Sequence, residues 1–171
     1  MGKGLKITPK DYAHLAGKKV AIVTAEWNEG ITFAMRDAAL ATLKAQGWAE
    51  DKLDTYLVPG TFELTVGAKW MAERSDVEAV IALGCVIQGE TRHFEFICQA
   101  VAQGLSNLGL VTGKPVVFGV LTTDTYAQAE ARAGGSMGNK GEEAAWTAIK
   151  MLDFKEALRT ASLAGGIGFR P

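Results

Sequence analysis

The feature that most constrains the fold is the run over residues 77–86, in which almost every side chain is apolar. Such a run is typical of a strand that is buried on both faces. Three further apolar runs, at 18–25, 53–58 and 115–121, are each followed by a turn and by apolar residues at helical spacing. Parallel strands need crossover connections of this kind. The sequence therefore predicts an α/β three-layer sandwich, with a central four-stranded parallel sheet and helices on both faces.

Helical spacing and capping signals place the helices after these strands. The predicted helices cover residues 31–46, 61–74, 91–110 and 140–163. Thr61 is the expected N-cap of the second helix. Thr125 and Gln128 fit a capping box at the start of a short helix.

The remaining segments are expected to be irregular. Residues 134–139 form a predicted loop between the last two helices. The chain of 171 residues is expected to be a single domain. An arm or edge strand at 1–16 and a flexible tail at 164–171 flank it in this prediction.

Composition and charge exclude several classes of function. The formal net charge of −1 gives no reason to expect a nucleic acid or an anionic membrane as a partner. No run of about 18 apolar residues occurs, so no membrane span is expected. Cys85 and Cys98 are interpreted as reduced thiols of a cytoplasmic protein, and the two histidines, His14 and His93, form no metal-ligand cluster.

The turns that follow parallel strands share one edge of the sheet, where ligands usually bind. Those turns carry Trp27 and Asn28, residues 61–63, residues 89–93 and residues 122–125. Together they supply aromatic surfaces, carboxylates, helix N-termini and a histidine. This set suits a flat polar heterocycle together with an anion.

Two ionisable residues lie near predicted helix starts at these turns. The positive end of a helix dipole disfavours a charged imidazole, so His93 is expected to be neutral at pH 7, as a proton carrier requires. A structural hydrogen-bonding histidine is an equally common explanation. Glu63 stabilises a helix dipole whether or not it binds a ligand.

The aromatic and basic residues have ordinary explanations as well. Trp27 has about even odds of being a cap on the core, and Phe62 and Phe118 are more often core residues. Arg132 and Lys140 are, on spacing alone, best explained as solvated surface charges. Periodicity therefore predicts an α/β domain with a pocket at the carboxyl edge of its sheet.

Four sequence blocks carry a resemblance to a known family. They are Trp27-Asn28 with Ile31-Thr32; Val58-Pro59-Gly60-Thr61-Phe62-Glu63-Leu64; Ala82-Leu83-Gly84-Cys85-Val86-Ile87 with Gly89-Glu90-Thr91 and His93-Phe94; and residues 115–122 leading to Arg132-Ala133-Gly134 and Gly138-Asn139-Lys140-Gly141. In order and spacing, over roughly residues 18–152, the chain resembles the 6,7-dimethyl-8-ribityllumazine synthase family. Each block alone is a weak signal, whereas four blocks in register are a specific one.

The resemblance implies a flavodoxin-like version of the predicted sandwich and a condensation reaction. The implied substrates are 5-amino-6-(D-ribitylamino)uracil and 3,4-dihydroxy-2-butanone 4-phosphate, which give the lumazine, phosphate and water in the penultimate step of riboflavin biosynthesis. No metal and no organic cofactor are implied. The family forms homo-oligomers, either pentamers or multiples of pentamers up to icosahedral shells of sixty subunits. Riboflavin synthase is an implied partner enzyme, and the site is implied to lie between neighbouring subunits.

The resemblance also assigns residues to the pyrimidine and ribityl parts of the substrate. These residues are Trp27, Thr61, Phe62, Glu63, Cys85, Val86, Ile87, Phe118 and Lys140. Trp27 would stack on the ring, Glu63 would accept hydrogen bonds from ribityl hydroxyls, and Phe118 would come from the adjacent subunit. Residues 85–87 would pair with the ring edge through their backbone.

A second group would handle the phosphate and the protons. The amides of Glu90 and Thr91, at a helix N-terminus, would bind the phosphate with Arg132. His93 would move protons, which is worth about 10²–10⁴-fold in rate. Holding the two reactants together would supply much of the remaining acceleration.

Two alternatives use the same scaffold without catalysis. The first alternative is a flavin- or lumazine-binding module. Its support is that Ser136 and Met137 stand where many family members carry a lysine. A purely structural shell protein is the other. The joint presence of Glu63, His93 and Arg132 argues against a shell protein, since assembly does not need them.

Overall fold

Four parallel strands form one sheet in the order β2-β1-β3-β4. The structure is a computed structural model that describes residues 10–164. Its strands are β1 (Lys19–Ala25), β2 (Leu53–Val58), β3 (Val77–Ile87) and β4 (Val116–Thr123), and its helices are α1 (Glu29–Ala45), α2 (Leu64–Glu73), α3 (His93–Thr112), α4 (Tyr126–Glu130) and α5 (Lys140–Ala164). The predicted four-stranded parallel sheet is confirmed.

Helices cover both faces of this sheet, because successive residues of a strand point to opposite sides. In β1, Val20 and Ile22 belong to a buried cluster that includes residues of α1 and α5. Ala21 and Val23 belong to a second cluster, which includes residues of α2 and α3. The three-layer α/β sandwich expected from the sequence is therefore confirmed.

The layer of α1 and α5 is held together by a close backbone contact. A Cβ atom at Gly141 would overlap the carbonyl oxygen of Met35, so only glycine lets α5 begin against the backbone of α1. Asn139 connects the same elements: its amide donates to the carbonyl of Ala34 at 3.2 Å, and its side-chain oxygen accepts from the Gly141 amide at 2.8 Å.

The described part of the N-terminal segment packs on the domain. Residues 10–16 contain a short 3-10 turn and no strand. Tyr12 is buried, and its ring meets that of Trp146 edge to face, with 6.0 Å between ring centroids. Residues 1–9, in the expected arm, and residues 165–171, in the expected tail, lie outside the described residues.

The prediction that Thr61 is the N-cap of α2 is wrong. Glu63 occupies the N-cap position without a capping side-chain bond. Residues 61–63 form a turn instead, in which the Leu64 amide donates to the Thr61 carbonyl at 3.2 Å. Because Thr61 is buried against β3, its hydroxyl donates to the carbonyl of Cys85 at 3.4 Å.

Two shorter segments also refine the expectations. The loop predicted at 134–139 is largely an antiparallel hairpin of β5 (Ala133–Gly135) and β6 (Gly138–Asn139), since two of its glycines take positive φ angles that other residues avoid. At α4, the Gln128 amide donates to Thr125 Oγ1 at 3.2 Å, which confirms Thr125 as the N-cap. The Gln128 side chain accepts from the amide of Asp124 and not from that of Thr125.

Candidate active site

A cavity of about 930 Å³ opens where β1, β2 and β3 end. Its other wall is the first two turns of α3, from His93 to Ala100. The predicted site residues that line it are Trp27, Thr61, Phe62, Glu63, Cys85, Val86, Ile87, Thr91 and His93. The expectation that the turns after parallel strands meet at one edge therefore holds for three of the four strands.

Gly84 lies directly before the β3 residues that line this cavity. A Cβ atom there would lie 2.8 Å from both Leu64 Cδ1 and Thr61 Oγ1. Such distances are shorter than van der Waals contact, so glycine is what allows the turn before α2 to pack directly on β3. Gly84 thereby brings Thr61, which lines the cavity, against β3.

Asn28 joins the cavity to the sheet in a way that the sequence did not predict. It is the one non-glycine residue with positive φ (62°) among the described residues, and it precedes α1. Its side-chain amide donates to the carbonyl of Cys85 at 3.0 Å. The sequence signal was an asparagine directly before a helix start, because asparagine is the residue after glycine that best tolerates this conformation.

Burial of the Cys85 thiol disfavours its nucleophilic thiolate form. Burial raises its pKa to about 11, so the thiol stays protonated near neutral pH. Burial also raises the pKa of the Cys98 thiol on α3.

The turn before α3 is fixed by its own side chains. The Gln88 side-chain amide donates to the carbonyl of Gly89 at 2.7 Å. The amide of His93 donates to Thr91 Oγ1 at 3.4 Å. His93 is the first residue of α3, two residues after the predicted start at residue 91, and its exposed side chain lines the cavity. Gln88 was not predicted, and no pattern distinguished it from an ordinary polar turn residue.

Three predicted site residues lie elsewhere on the chain. Phe118 and Lys140 line a second groove of about 800 Å³, which runs between α3 and α5 along the open edge of β4. Arg132 lines neither cavity, and its guanidinium donates to the carbonyl of Gln128 at 2.8 Å. Phe118 does not join the first cavity because β4 is an edge strand, and its open side faces away from β1 and β2.

Glu90 occupies an intermediate position. It lies in the turn between β3 and α3 and is exposed, but it is not among the residues that line the cavity. Its neighbour Thr91 does line the cavity. The turn that was expected to bind phosphate thus borders the cavity at the N-terminus of α3.

The described part of the chain offers no site for a metal ion. Within residues 10–164, no group of three or more His, Cys, Asp and Glu side chains could hold one. Over the same residues, no helix is both long enough and apolar enough to cross a membrane.

Comparison with known proteins identifies the family. The family described as 6,7-dimethyl-8-ribityllumazine synthase matches residues 17–156, most of the chain. The chain belongs to the 6,7-dimethyl-8-ribityllumazine synthase family. This confirms the resemblance that the four sequence blocks carry, and with it the expectation of a transferase of riboflavin biosynthesis.

Individual members of the lumazine synthase family support the same assignment. A 6,7-dimethyl-8-ribityllumazine synthase of Bacteroides fragilis is 52% identical over 136 residues, which cover 80% of this chain and 95% of the relative. One from Cytophaga hutchinsonii is 51% identical over 150 residues, covering 88% of this chain and 94% of the relative. One from Parabacteroides distasonis is 50% identical over 135 residues, covering 79% and 84%.

Proposed function

We propose that the cavity is the active site for the condensation of 5-amino-6-(D-ribitylamino)uracil with 3,4-dihydroxy-2-butanone 4-phosphate, and that a neighbouring copy of the chain completes it. The observation that carries this proposal is the division of the candidate residues between two surfaces. Trp27 and His93 line the cavity, whereas Phe118 and Lys140 line the second groove. Two copies packed cavity against groove would bring both sets together.

The exposure of apolar side chains on both surfaces supports such a contact. Trp27 at the cavity is 73% exposed, and Phe118 and Leu110 at the groove are 41% and 81% exposed. Contiguous exposed apolar surface of this kind marks interaction sites, because water is released when it is covered. The partner proposed here is a second copy of this chain.

Aromatic and carboxylate side chains would bind the pyrimidine substrate. The indole of Trp27 stacks on one face of the ring, and Phe118 of the neighbouring copy approaches from the groove side. Phe62 and Glu63 lie in the turn that borders the cavity, so the Glu63 carboxylate accepts hydrogen bonds from ribityl hydroxyls. Lys140 of the neighbouring copy belongs to the same binding set.

The turn before α3 would bind the phosphate group. Backbone amides of Glu90 and Thr91 lie just before the first residue of α3, where the helix dipole favours an anion. Arg132 of the neighbouring copy adds a bidentate donor. Stabilising the departing phosphate in this way requires no metal ion.

His93 would carry protons during the reaction. The 5-amino nitrogen of the pyrimidine attacks the ketone carbon and an imine forms with loss of one water. Phosphate is then eliminated, and the resulting enol becomes a second carbonyl. The ribityl-bearing 6-amino nitrogen attacks that carbonyl, and the ring closes with loss of a second water. Each step moves a proton to or from nitrogen or oxygen. The His93 imidazole lines the cavity at the phosphate end, so it can exchange these protons with both reactants.

The larger assembly and its surroundings follow from the same proposal. A contact in which one surface meets a different surface of the next copy forms a ring when the rotation between copies closes. The family resemblance favours such a ring, as a pentamer or a multiple of pentamers, including shells. Riboflavin synthase is the partner enzyme that would consume the lumazine. Free thiols at Cys85 and Cys98 suit a cytoplasmic location, where thiols stay reduced.

A direct assay tests the reaction. Purified protein mixed with both substrates should raise lumazine absorbance and fluorescence well above the slow uncatalysed condensation. His93→Ala should lower the rate without abolishing it, because positioning of the two reactants remains. A wild-type rate no faster than the uncatalysed one would reject the proposal. Tight riboflavin binding without turnover would then favour the non-catalytic binding module.

Complementation tests whether two copies share each site. Co-expressed His93→Ala and Arg132→Glu chains should regain activity, since in a randomly mixed ring about a quarter of the sites receive an intact His93 from one chain and an intact Arg132 from its neighbour. The separately purified variants, mixed after assembly, are the matched control. Co-expressed chains with no more activity than that control would indicate that His93 and Arg132 do not act across an interface.

A further inference from the structure

The start of α5 is held against both α1 and β4. Its close contact with α1 at Gly141 has a counterpart on the sheet, where a Cβ atom at Gly119 would lie 3.3 Å from the Cβ atom of Ala144. The backbone of Lys140, the first residue of α5, is held as well, because its amide donates to the carbonyl of Arg132 at 2.8 Å. The helix start therefore has little freedom to move, and the remaining freedom belongs to the side chains that line the groove.

The Lys140 side chain is held by a carboxylate one turn further along the helix. Glu143 Oε2 accepts a hydrogen bond from Lys140 Nζ at 2.6 Å. Without this carboxylate, the positive end of the helix dipole would repel the ammonium group, and its flexible four-carbon stem would sample many conformations. Lys140 and Glu143 line the groove together with Phe118, the aromatic residue proposed to approach the pyrimidine ring. The pair thus lies on the surface that the proposed contact between copies brings to the cavity.

The ion pair leaves Lys140 able to bind a ligand. A lysine ammonium group has three N–H donors, and Glu143 accepts from one of them. The side chains of Lys140 and Glu143 are 38% and 32% exposed, so a ligand in the groove can reach the remaining donors. The ring carbonyls and ribityl hydroxyls of the pyrimidine substrate supply acceptor oxygens for them. Lys140 is therefore a cation that is already ordered and still has donors to offer.

We propose that Glu143 is a positioning residue, which holds the Lys140 ammonium group ready to bind the pyrimidine substrate in the cavity of the neighbouring copy. The inference rests on the proposed function, in which Lys140 belongs to the pyrimidine-binding set. Its physical basis is that a side chain ordered before binding loses less conformational entropy when the ligand arrives. Glu143 acts through Lys140, so its removal should matter only while Lys140 is present.

Binding of a substrate analogue tests the inference without turnover. The probe is 6-(D-ribitylamino)uracil, which lacks the 5-amino group and cannot condense, and calorimetry measures its dissociation constant. Glu143→Ala should weaken binding about three- to tenfold, because the ligand must then order a long side chain. Glu143→Gln keeps an acceptor oxygen without the charge, so its loss should be intermediate. Unchanged or tighter binding to Glu143→Ala would overturn the inference, and tighter binding would mean that the carboxylate competes with the ligand for Lys140.

The matched control is Glu142→Ala. Glu142 lies in the same first turn, is exposed and does not line the groove, so its removal changes the charge at the helix start but leaves the pair of Lys140 and Glu143 in place. This control should bind the probe like the wild type, and equal losses in the two alanine variants would contradict the inference. Glu143→Met fills the same space without an acceptor. It carries the test, with the same expected loss, if light scattering or circular dichroism shows that Glu143→Ala does not assemble or fold.

A double-mutant cycle separates positioning from direct contact. Lys140→Met alone should weaken binding of the probe about tenfold or more, the loss of a charged hydrogen-bond donor. In that background, Glu143→Ala should change the dissociation constant by less than about twofold. A larger further loss would mean that Glu143 contacts the ligand itself, which contradicts a positioning role. If Lys140→Met binds the probe like the wild type, the inference fails, while turnover by the wild-type protein still supports the proposed reaction.

Steady-state kinetics add a readout that a merely structural change would not give. Glu143→Ala should raise the KM for 5-amino-6-(D-ribitylamino)uracil by the factor seen in binding, with kcat and the KM for the phosphate substrate within about twofold of the wild type. A fall in kcat with an unchanged pyrimidine KM would contradict the inference. A wild-type protein that binds the probe without turnover would reject the proposed reaction, and the binding constants would still decide the role of Glu143.

Discussion

The two helical layers of this protein differ in how completely they are closed. Between α1 and α5, the packing is so tight that backbone meets backbone at Gly141 and Met35. The layer of α2 and α3 buries its inner side but leaves large apolar side chains uncovered. These exposed residues are Val66, Trp70, Phe96, Leu110 and Val111. In the other layer, α5 exposes Met151, Phe154 and Leu158, all of which line the groove.

The difference indicates which helical layer is fully packed within one chain and which exposes apolar surface for further contacts. The closed layer supports the sheet rigidly, since close-packed interiors deform little. The open layer borders both the cavity and the groove, whereas the closed layer reaches only the groove, through α5. Mutations at the contact between α1 and α5 should therefore affect fold stability, and mutations at exposed apolar residues of α3 should affect assembly.

The largest expected effect is a break in the closed layer. Gly141→Ala places a methyl group against the carbonyl of Met35 and should lower the free energy of unfolding by more than about 3 kcal/mol. Chemical denaturation followed by circular dichroism measures it. Gly17→Ala, where a methyl group would meet no atom within 4 Å, is the control and should stay within about 0.5 kcal/mol. Equal behaviour of the two variants would show that the layer is not closed by this contact.

A mutation in the open layer should have a smaller effect, which should be confined to assembly. Leu110 is exposed and lines the groove, so Leu110→Ser should weaken association by about 1–2 kcal/mol at each interface. Light scattering should show smaller species, with an unchanged circular dichroism spectrum. Ala41→Ser, on an exposed position of α1, should leave the mass unchanged. A Leu110→Ser protein of wild-type mass would place the contact elsewhere.

The smallest expected effect is a pH-dependent change in stability that involves the closed layer. Hydrogen bonds from Arg159 and Lys18 lower the pKa of Glu156 on α5 from its ordinary value of 4.5 to about 2. A lowered folded-state pKa contributes stability that is fully present above 4.5 and is lost as the pH falls toward about 2. Glu156→Gln should thus lower the melting temperature slightly at pH 7, with the difference from wild type shrinking below pH 4.5.

A second variant isolates the contact across the fold. Lys18 precedes β1 and pairs with Glu156 at 3.0 Å. In a Lys18→Met background, the effect of Glu156→Gln should be smaller at pH 7, because only the local pair with Arg159 remains. A melting-temperature difference that stays constant from pH 7 to pH 2 would contradict the assignment.

Much of the fold could be predicted from residue patterns. Uniformly apolar strands, such as residues 77–86, mark burial on both faces, and α3 was predicted within about two residues of its start because helical spacing is a local property. The predictions that were wrong concerned local backbone geometry. Thr61 was predicted to cap α2, but its hydroxyl bonds a strand that lies 24 positions away, and no local pattern encodes such a contact.

The residues of the candidate site can also be divided into those that the sequence predicted and those that it did not. Residues such as Trp27, Glu63 and His93 follow strands whose order brings their turns together, so topology alone places them at one edge. Phe118 also belongs to a predicted strand, but whether that strand is central or at the edge depends on sheet order. Asn28 was visible only as a turn residue until its partner across the sheet was known.

By itself, the sequence determined the α/β class, the strand and helix segments and the family, because apolar periodicity and four motif blocks are properties of the chain order. Only the tertiary structure decided that the candidate residues fall on two surfaces and that the Cys85 carbonyl is already bound from two turns. The physical reason is that hydrogen bonds between distant turns depend on strand order and on where each strand stops. Neither the strand order nor the end of each strand is determined by residues nearby in the chain.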